Sequence, residues 1–261
     1  MKKIILIIAA FLIVLSCKND DNNNGGSDNI EKFGTLTLDF SNTIEDKTID
    51  LERGSYTNGS NETYAIAELK YIISNIVLIT STGEEFKYPV ADSYFLINEA
   101  EESSKEISLT DIPEEEYTKI RFGFGVDQSK YPIESGTANF IPTAEENGML
   151  WAWAAGYKFL KFEGTYNTIG STTSNDFILH VGSHGANLDN YKEMTINLPS
   201  VLSIKEMTTP NVSINADIAK IFDSINTHSL EVKSDVQVDP VNAPIIAENV
   251  STMFSITNVS N

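Results

Sequence analysis

The chain has 261 residues, with 18 lysines and arginines against 37 aspartates and glutamates, which gives a formal charge of −19. Such a field repels a phosphate backbone, which nucleic-acid-binding proteins neutralise with basic side chains, so the composition argues against nucleic acid as a partner. An apolar content of 41% is enough to build a core. The single cysteine, Cys17, excludes an internal disulfide framework and a zinc site made of cysteines.

The first seventeen residues predict a leader. Lys2 and Lys3 precede an unbroken apolar run over residues 4–15, which is too short to span a hydrocarbon core of about 30 Å. Ser16 and Cys17 close this run in the manner of a bacterial lipobox, which predicts that Cys17 is lipidated and becomes the mature N-terminus. The alternative is an ordinary secretory signal with an incidental cysteine. Removing Lys2 and Lys3 with the leader changes the formal charge from −19 to −21.

The segment after Cys17 is polar and without apolar periodicity, so we expect a flexible tether over residues 17–32. The Lys-Asn-Asp-Asp that follows Cys17 resembles the surface-export signal of Bacteroidetes lipoproteins, which leaves exposure at the cell surface open. Residues 20–31 also satisfy the spacing of a calcium-binding EF-hand loop. That motif requires a helix on each side, whereas here a lipidated cysteine precedes the loop and a strand-like sequence follows it, so the tether is the preferred interpretation.

The rest of the chain is dominated by strand patterns. Leu36, Leu38 and Phe40 alternate with polar residues, which is typical of a half-buried strand. Further segments rich in β-branched and aromatic residues predict strands over 64–80, 85–88, 93–97, 106–109, 117–126, 149–164, 177–182, 193–198 and 211–215. Residues 127–147 contain two prolines and predict a loop.

Helical spacing occurs only late in the sequence. Ile218, Ile221, Phe222 and Ile225 follow a possible cap at Asp217, and a second apolar stripe runs over residues 245–254 after a proline. The predicted fold is therefore mainly β: an antiparallel β-sandwich with a few short helices, one of them near the C-terminus. The predicted organisation is a leader over 1–16, a lipidated cysteine and tether over 17–32, and a β-domain over 33–261.

The sequence carries little catalytic chemistry, so we expect a protein that is not an enzyme. It has no cysteine nucleophile besides the anchor, no Gly-x-Ser-x-Gly elbow and no phosphate-binding glycine loop. Glu163 stands out among the acids because it falls at a predicted strand end, although an exposed acid near a turn is the preferred interpretation. A hydrolase with two carboxylates remains an outside alternative, since their separation in space cannot be read from sequence.

The most informative stretch runs from Gly148 to His184. Met149, Trp151, Trp153, Ala155 and Tyr157 would share one face of the predicted 149–164 strand, because side chains alternate along a strand. His180 lies at the end of the following strand and His184 four residues on. Two neutral imidazoles can bind a transition metal, copper most strongly among divalent ions. Two polar loop histidines and a pair of core tryptophans are the alternative.

These residues resemble the MbnP-like proteins, a family named for methanobactin-associated copper-binding proteins. The resemblance rests on the Gly-Met-Leu-Trp-Ala-Trp-Ala-Ala-Gly-Tyr-Lys-Phe run over 148–159, on Phe-Glu-Gly over 162–164 and on His-Val-Gly over 180–182. It extends over roughly 33–256, with weaker segments at 69–76, 122–127 and a helix expected over 249–256.

The resemblance implies an extracytoplasmic β-rich protein that binds one copper ion through histidine. It also implies a tryptophan oxidised to kynurenine at or near the metal, a reaction attributed in the family to a diheme peroxidase partner. By residue, His180 is the matching ligand, and Trp151 or Trp153 is the candidate for oxidation. A second ligand is not fixed: His184 is the choice by proximity, and His228 is the alternative.

Two functional hypotheses follow. The first is a copper-binding lipoprotein, anchored to the outer membrane through Cys17, that captures or delivers copper. The second is a metal-free surface binding or adhesion module on the same sandwich. Exposed tryptophans would favour the second hypothesis, whereas tryptophans buried near His180 would favour copper.

Overall fold

The computed structural model describes residues 32–127, 140–151, 156–183 and 188–261. Two α-helices lie in these ranges, α1 (Ile141–Glu146) and α2 (Asn242–Val250). The remaining regular structure is almost entirely strand. The strands are β1 (Phe33–Ile44), β2 (Lys47–Thr48), β3 (Tyr56–Thr57), β4 (Thr63–Thr80), β5 (Glu85–Lys87), β6 (Tyr94–Asn98), β7 (Glu106–Pro113), β8 (Glu116–Phe124), β9 (Lys158–Asn167), β10 (Asn175–Gly182), β11 (Lys192–Ser203), β12 (Asn211–Asp217), β13 (Asp235–Gln237) and β14 (Phe254–Ser260).

One sheet is built around β1. Strand β12 pairs with β1 in parallel, β7 and β2 pair with it antiparallel, and β14 continues the sheet beyond β12. Leu36, Leu38 and Phe40 are buried while the residues between them are partly exposed. The predicted period-2 pattern of this strand is confirmed.

The larger sheet is built on β4, which is 18 residues long. Its order is β11-β8-β4-β9-β10-β13, and β3, β5 and β6 also pair with β4 along its length. The pairing is antiparallel except between β10 and β13, which are parallel. Strand β10 is therefore held between β9 on one side and β13 on the other.

The two sheets pack face to face through aromatic side chains. Phe40 of the first sheet lies 6.3 Å from Phe122 of the second, measured between ring centroids, and Phe254 lies 5.2 Å from Phe122. Such edge-to-face contacts fill the space between two sheets. The predicted mainly β, sandwich-like fold is confirmed. The sheets are mixed, because two of the pairings, β1–β12 and β10–β13, are parallel.

The helical predictions are confirmed only in part. The stripe after Asp217 forms a single 3₁₀ turn, Ile218–Ile221, and the Asp217 side chain accepts a hydrogen bond from the backbone of Ala219 at 3.3 Å. The expected helix over 249–256 is wrong, since α2 ends at Val250 and β14 begins at Phe254. The hydroxyls of Ser251 and Thr252 donate to carbonyls of the last helical turn, which ends the helix there.

The predicted long strand over 149–164 is also wrong in its first half. The backbone N–H of Trp151 donates to the carbonyl of Gly156 at 3.1 Å, and that of Lys158 donates to the carbonyl of Met149 at 2.7 Å. Residues 149–151 therefore pair antiparallel with residues 156–158, and Gly156 adopts a φ of 126° that favours glycine. Met149, Trp151 and Tyr157 do not share the face of one strand. We call residues 148–151 together with 156–158 the covering hairpin.

Candidate metal site around His180

His180 lies on β10, where it pairs with Lys161 of β9 and Gln237 of β13. Its neighbours Leu179 and Val181 point into the core between the sheets, so alternation places the His180 side chain on the opposite face of the larger sheet. A histidine on such a face would ordinarily be solvated. His180 is nevertheless only 6% exposed.

The covering hairpin contributes to this burial. Trp151 is 4% exposed, and its ring lies 6.0 Å from the His180 ring at an angle of 59°. The ammonium of Lys158 lies 5.3 Å from the centre of the Trp151 ring and also donates to the carbonyl of Gly148 at 3.0 Å. The structure thus brings together two of the predicted site residues, His180 and Trp151.

A row of charged side chains crosses the same face of the sheet. Glu68 binds Lys70 at 2.8 Å and Lys161 at 2.5 Å, and Lys161 also lies 3.3 Å from Glu163. The row ends at His180, whose Nε2 lies 2.7 Å from Oε1 of Glu163. We call Lys70, Glu68, Lys161, Glu163 and His180 the charged row.

The His180 imidazole has two distinct nitrogens. Nε2 is hydrogen-bonded to Glu163, whereas Nδ1 is buried and has no hydrogen-bond partner among the described residues. Burial lowers the pKa of His180 below its ordinary value of 6.5, and the nearby Lys158 and Lys161 lower it further, against the opposing effect of Glu163. The ring is therefore neutral at pH 7 and carries a lone pair, which is the form that binds metal.

His228 occupies a different part of the molecule. Its ring stacks on Phe222 at 6.5 Å, and Phe222 packs against Phe162 and Phe177, which lie on the core side of the larger sheet. The sheet therefore separates His228 from His180, and the two do not form one site. Burial lowers the pKa of His228 as well, and its Nε2 is buried with no partner among the described residues.

Several predicted features lie outside the described residues. They are Trp153, His184, the leader, Cys17, nearly all of the tether and the calcium-loop pattern. Within the described part of the chain no three His, Cys, Asp or Glu side chains cluster as a metal site, and no helix there is long and apolar enough to cross a membrane. His180 is thus the single described histidine available to the proposed site.

The sequence singled out Glu163 but missed its partners. Glu68 and Lys161 reach the site because of the register between β4 and β9, and Lys158 because residues 156–158 pair with residues 149–151. A partial signal was present, since Lys161 and Glu163 are two residues apart, as are Glu68 and Lys70, and such pairs share one face of a strand.

The fold and site together define a mainly β protein of two packed sheets that buries a histidine beneath a tryptophan on the outer face of the larger sheet. The MbnP family model matches residues 33–240, and the chain belongs to that family. A solved structure, MbnP from Methylosinus trichosporium, is similar with a TM-score of 0.53 at 12% identity, over 86% of this chain and 98% of that one. At that identity the likeness shows the fold alone. No curated protein matches the sequence.

Proposed function

We propose that the protein is an extracytoplasmic copper-binding protein that captures or delivers copper and does not catalyse a reaction. The observation that carries the proposal is the buried Nδ1 of His180, a nitrogen lone pair without a protein partner among the described residues. A buried acceptor without a hydrogen bond costs about 1–3 kcal/mol. That cost is recovered when a metal ion occupies the lone pair.

The surroundings of His180 fit a metal ligand. Metal-binding histidines commonly donate their second ring N–H to a carboxylate, and Glu163 lies 2.7 Å from Nε2. Imidazole nitrogen suits copper well, and copper is favoured among first-row divalent ions. In this proposal copper is the cargo, His180 binds it, Glu163 holds the ring, and Trp151 limits access of water.

The proposal retains the predicted contributions of residues outside the described ranges. His184 is the second histidine ligand, because the sheet separates His228 from His180. A diheme peroxidase partner oxidises Trp151 or Trp153 with two equivalents of peroxide, which are reduced to water. The C2–C3 bond of the indole breaks, hydrolysis releases C2 as formate, and the aromatic amine that remains is a further nitrogen donor. A mass shift on the peptide that contains both tryptophans tests this step, and an unmodified peptide from the native host would contradict it.

The protein is further proposed to be anchored to the outer membrane through lipidated Cys17. The Cys17→Ser variant is expected to leave the membrane fraction and to lose metabolic labelling with palmitate. Labelling that persists in this variant would contradict the anchor without bearing on copper.

Copper binding is tested by titrating the mature protein with copper against a chromophoric chelator. The His180→Ala variant is expected to lose at least about a hundredfold in affinity, since it removes a metal ligand. The matched control is His228→Ala, another buried histidine that is expected to leave affinity unchanged. The proposal is refuted if wild-type protein binds no copper at micromolar concentrations, or if His180→Ala binds as wild type does.

A metal-free adhesion module is the second candidate, and it requires exposed aromatic side chains. Trp151 is buried, and among the large hydrophobic side chains exposed in the described residues the only aromatic is Phe33, at 43%. The discriminating feature set out from the sequence, a tryptophan buried next to His180, thus supports copper.

A further inference from the structure

We propose that Glu163 is the positioning residue of the site: it holds His180 as the Nε2–H tautomer and so presents Nδ1 as the ligand atom. The inference rests on the proposed function for the identity of the metal. Its first half, the tautomer, is a property of the metal-free protein and can be measured without copper.

The hydrogen-bond pattern fixes where the single proton of the neutral ring resides. A carboxylate oxygen only accepts, so the 2.7 Å contact with Glu163 Oε1 requires that Nε2 carries the proton. Nδ1 then holds the lone pair. The opposite tautomer would place two lone pairs against each other at Nε2 and would leave a buried N–H without an acceptor at Nδ1.

Glu163 is itself held in place by Lys161. Its Oε1 lies 3.3 Å from the Lys161 ammonium. The carboxylate therefore has two donors, the Lys161 ammonium and the His180 ring, which converge on one oxygen. This arrangement restricts the rotation of Glu163 and with it the plane of the imidazole.

The charged row also supplies a matched control. Glu68 lies on the same face, is bound to Lys161 as Glu163 is, and has no hydrogen bond to His180. Replacing either acid by glutamine removes one negative charge near the site. Only Glu163→Gln changes the partner of Nε2: an obligatory acceptor is replaced by an amide that can either accept from or donate to that nitrogen.

The tautomer is read in the metal-free mature protein by long-range ¹H–¹⁵N NMR on ¹⁵N-labelled histidine, with His180→Ala used to assign the signals. We expect wild type and Glu68→Gln to show Nε2–H, and Glu163→Gln and Glu163→Ala to show a mixture or the opposite tautomer. The Nδ1–H form in wild type, or an unchanged tautomer in both Glu163 variants, overturns the inference.

The ligand atom is read by loading the protein with Ag(I), a diamagnetic substitute for Cu(I), and identifying which His180 nitrogen shifts. We expect Nδ1, and a shifted Nε2 overturns the assignment. In the copper titration, Glu163→Gln is expected to lose about 10–100-fold in affinity while Glu68→Gln loses less than about threefold. Equal losses in both variants would indicate a charge effect alone and would overturn the positioning role.

The two proposals fail in distinguishable ways. Copper binding that depends on His180 but not on Glu163 overturns the positioning role and leaves the proposed function standing. A wild-type protein without copper affinity overturns the proposed function and with it the ligand assignment, while the tautomer measurement still decides what Glu163 does to the ring.

Discussion

Glu62 is a buried carboxylate whose replacement by glutamine should lower the stability of the protein without changing its copper affinity. It is 2% exposed and precedes β4. Oε2 accepts hydrogen bonds from the Asn58 side chain at 2.7 Å and the Leu230 backbone at 2.8 Å, and Oε1 accepts from the Ser229 hydroxyl and the Glu231 backbone, both at 2.7 Å. Glu62 thus fixes the loop that carries His228, on the core side of the larger sheet.

The expected loss follows from these four donors. In the least costly pose, the amide NH2 group of the new glutamine replaces Oε1 and faces Ser229 and the Glu231 backbone N–H. The Ser229 hydroxyl can turn to accept from it, whereas the Glu231 N–H cannot accept. One hydrogen bond to a charged group is lost, at about 1.5–3 kcal/mol, and three weaken by about 1 kcal/mol each as the charge disappears. A neutral amide is less costly to bury than a carboxylate, so we expect a net loss of about 3 kcal/mol.

The assay is urea unfolding of the mature protein, followed by copper titration of the folded variant. In a thermal melt, the same loss of about 3 kcal/mol would lower the melting temperature by about 6–12 °C for a domain of this size. The control is Glu248→Gln, an exposed acid that accepts one bond from Asn226 and is expected to change stability by less than about 0.5 kcal/mol. Copper affinity should stay at the wild-type value, because the sheet separates this loop from His180.

Acid titration gives an independent check on Glu62. Burial alone would raise its pKa, but the hydrogen bonds from Asn58, Ser229 and the Glu231 and Leu230 backbone outweigh burial and hold the pKa below its ordinary value of 4.5. The stability that this carboxylate contributes is therefore complete above pH 4.5 and is lost as the pH falls through the lower, folded-state value. The difference in unfolding free energy between wild type and Glu62→Gln should therefore narrow as the pH falls below 4.5. A loss as small as that of Glu248→Gln, or a difference that does not narrow in acid, would refute the reasoning.

Two further predictions concern stability. Burial lowers the pKa of His228 below 6.5, despite an opposing hydrogen bond to the Lys233 backbone. As the pH falls, this histidine is therefore protonated in the unfolded chain before it is protonated in the folded protein. The free energy of unfolding decreases as a result. His228→Gln should reduce that slope between pH 7 and 5 by up to about 1.4 kcal/mol per pH unit, measured by urea unfolding, and an unchanged slope would contradict it. Gly164→Ala should destabilise by about 2–4 kcal/mol in a thermal melt, since its Cβ would lie 2.0 Å from the Ala65 carbonyl oxygen. Gly170→Ala meets no atom within 4 Å and should cost only about 1–2 kcal/mol for its positive φ, so equal losses would refute the steric argument.

The strands could be predicted because each carries its own pattern, whereas their pairing could not. The alternation of β1 is visible over a few residues, but its parallel partner β12 lies about 170 positions away and matches it only in space. The apolar stripe over 245–254 also continues past the true end of the helix. Ser251 and Thr252 stop the helix through side-chain hydrogen bonds that an apolar pattern does not register.

The candidate site could likewise be predicted only in part. His180 and Trp151 could be singled out by resemblance. They meet because residues 149–151 pair antiparallel with residues 156–158, which the alternation of apolar residues did not predict. The contact between His180 and Glu163 also depends on register. Their strands pair so that His180 lies opposite Lys161, which places Glu163 diagonally within reach. Register between separate strands is not encoded in either strand alone.

The charged side chains around His180 are mainly basic, although the chain as a whole is acidic. The formal charge of the chain is −19. The charged row and the covering hairpin nevertheless contain three lysines, Lys70, Lys158 and Lys161, but only two acids, Glu68 and Glu163. Calcium and magnesium require several oxygen ligands, and both acids here already bind lysine. A hard cation attracted by the acidic surface would find no free carboxylate pair among these residues. What remains is a nitrogen lone pair on a neutral ring, so donor chemistry and not net charge would select the metal, and nitrogen donors select copper over calcium and magnesium.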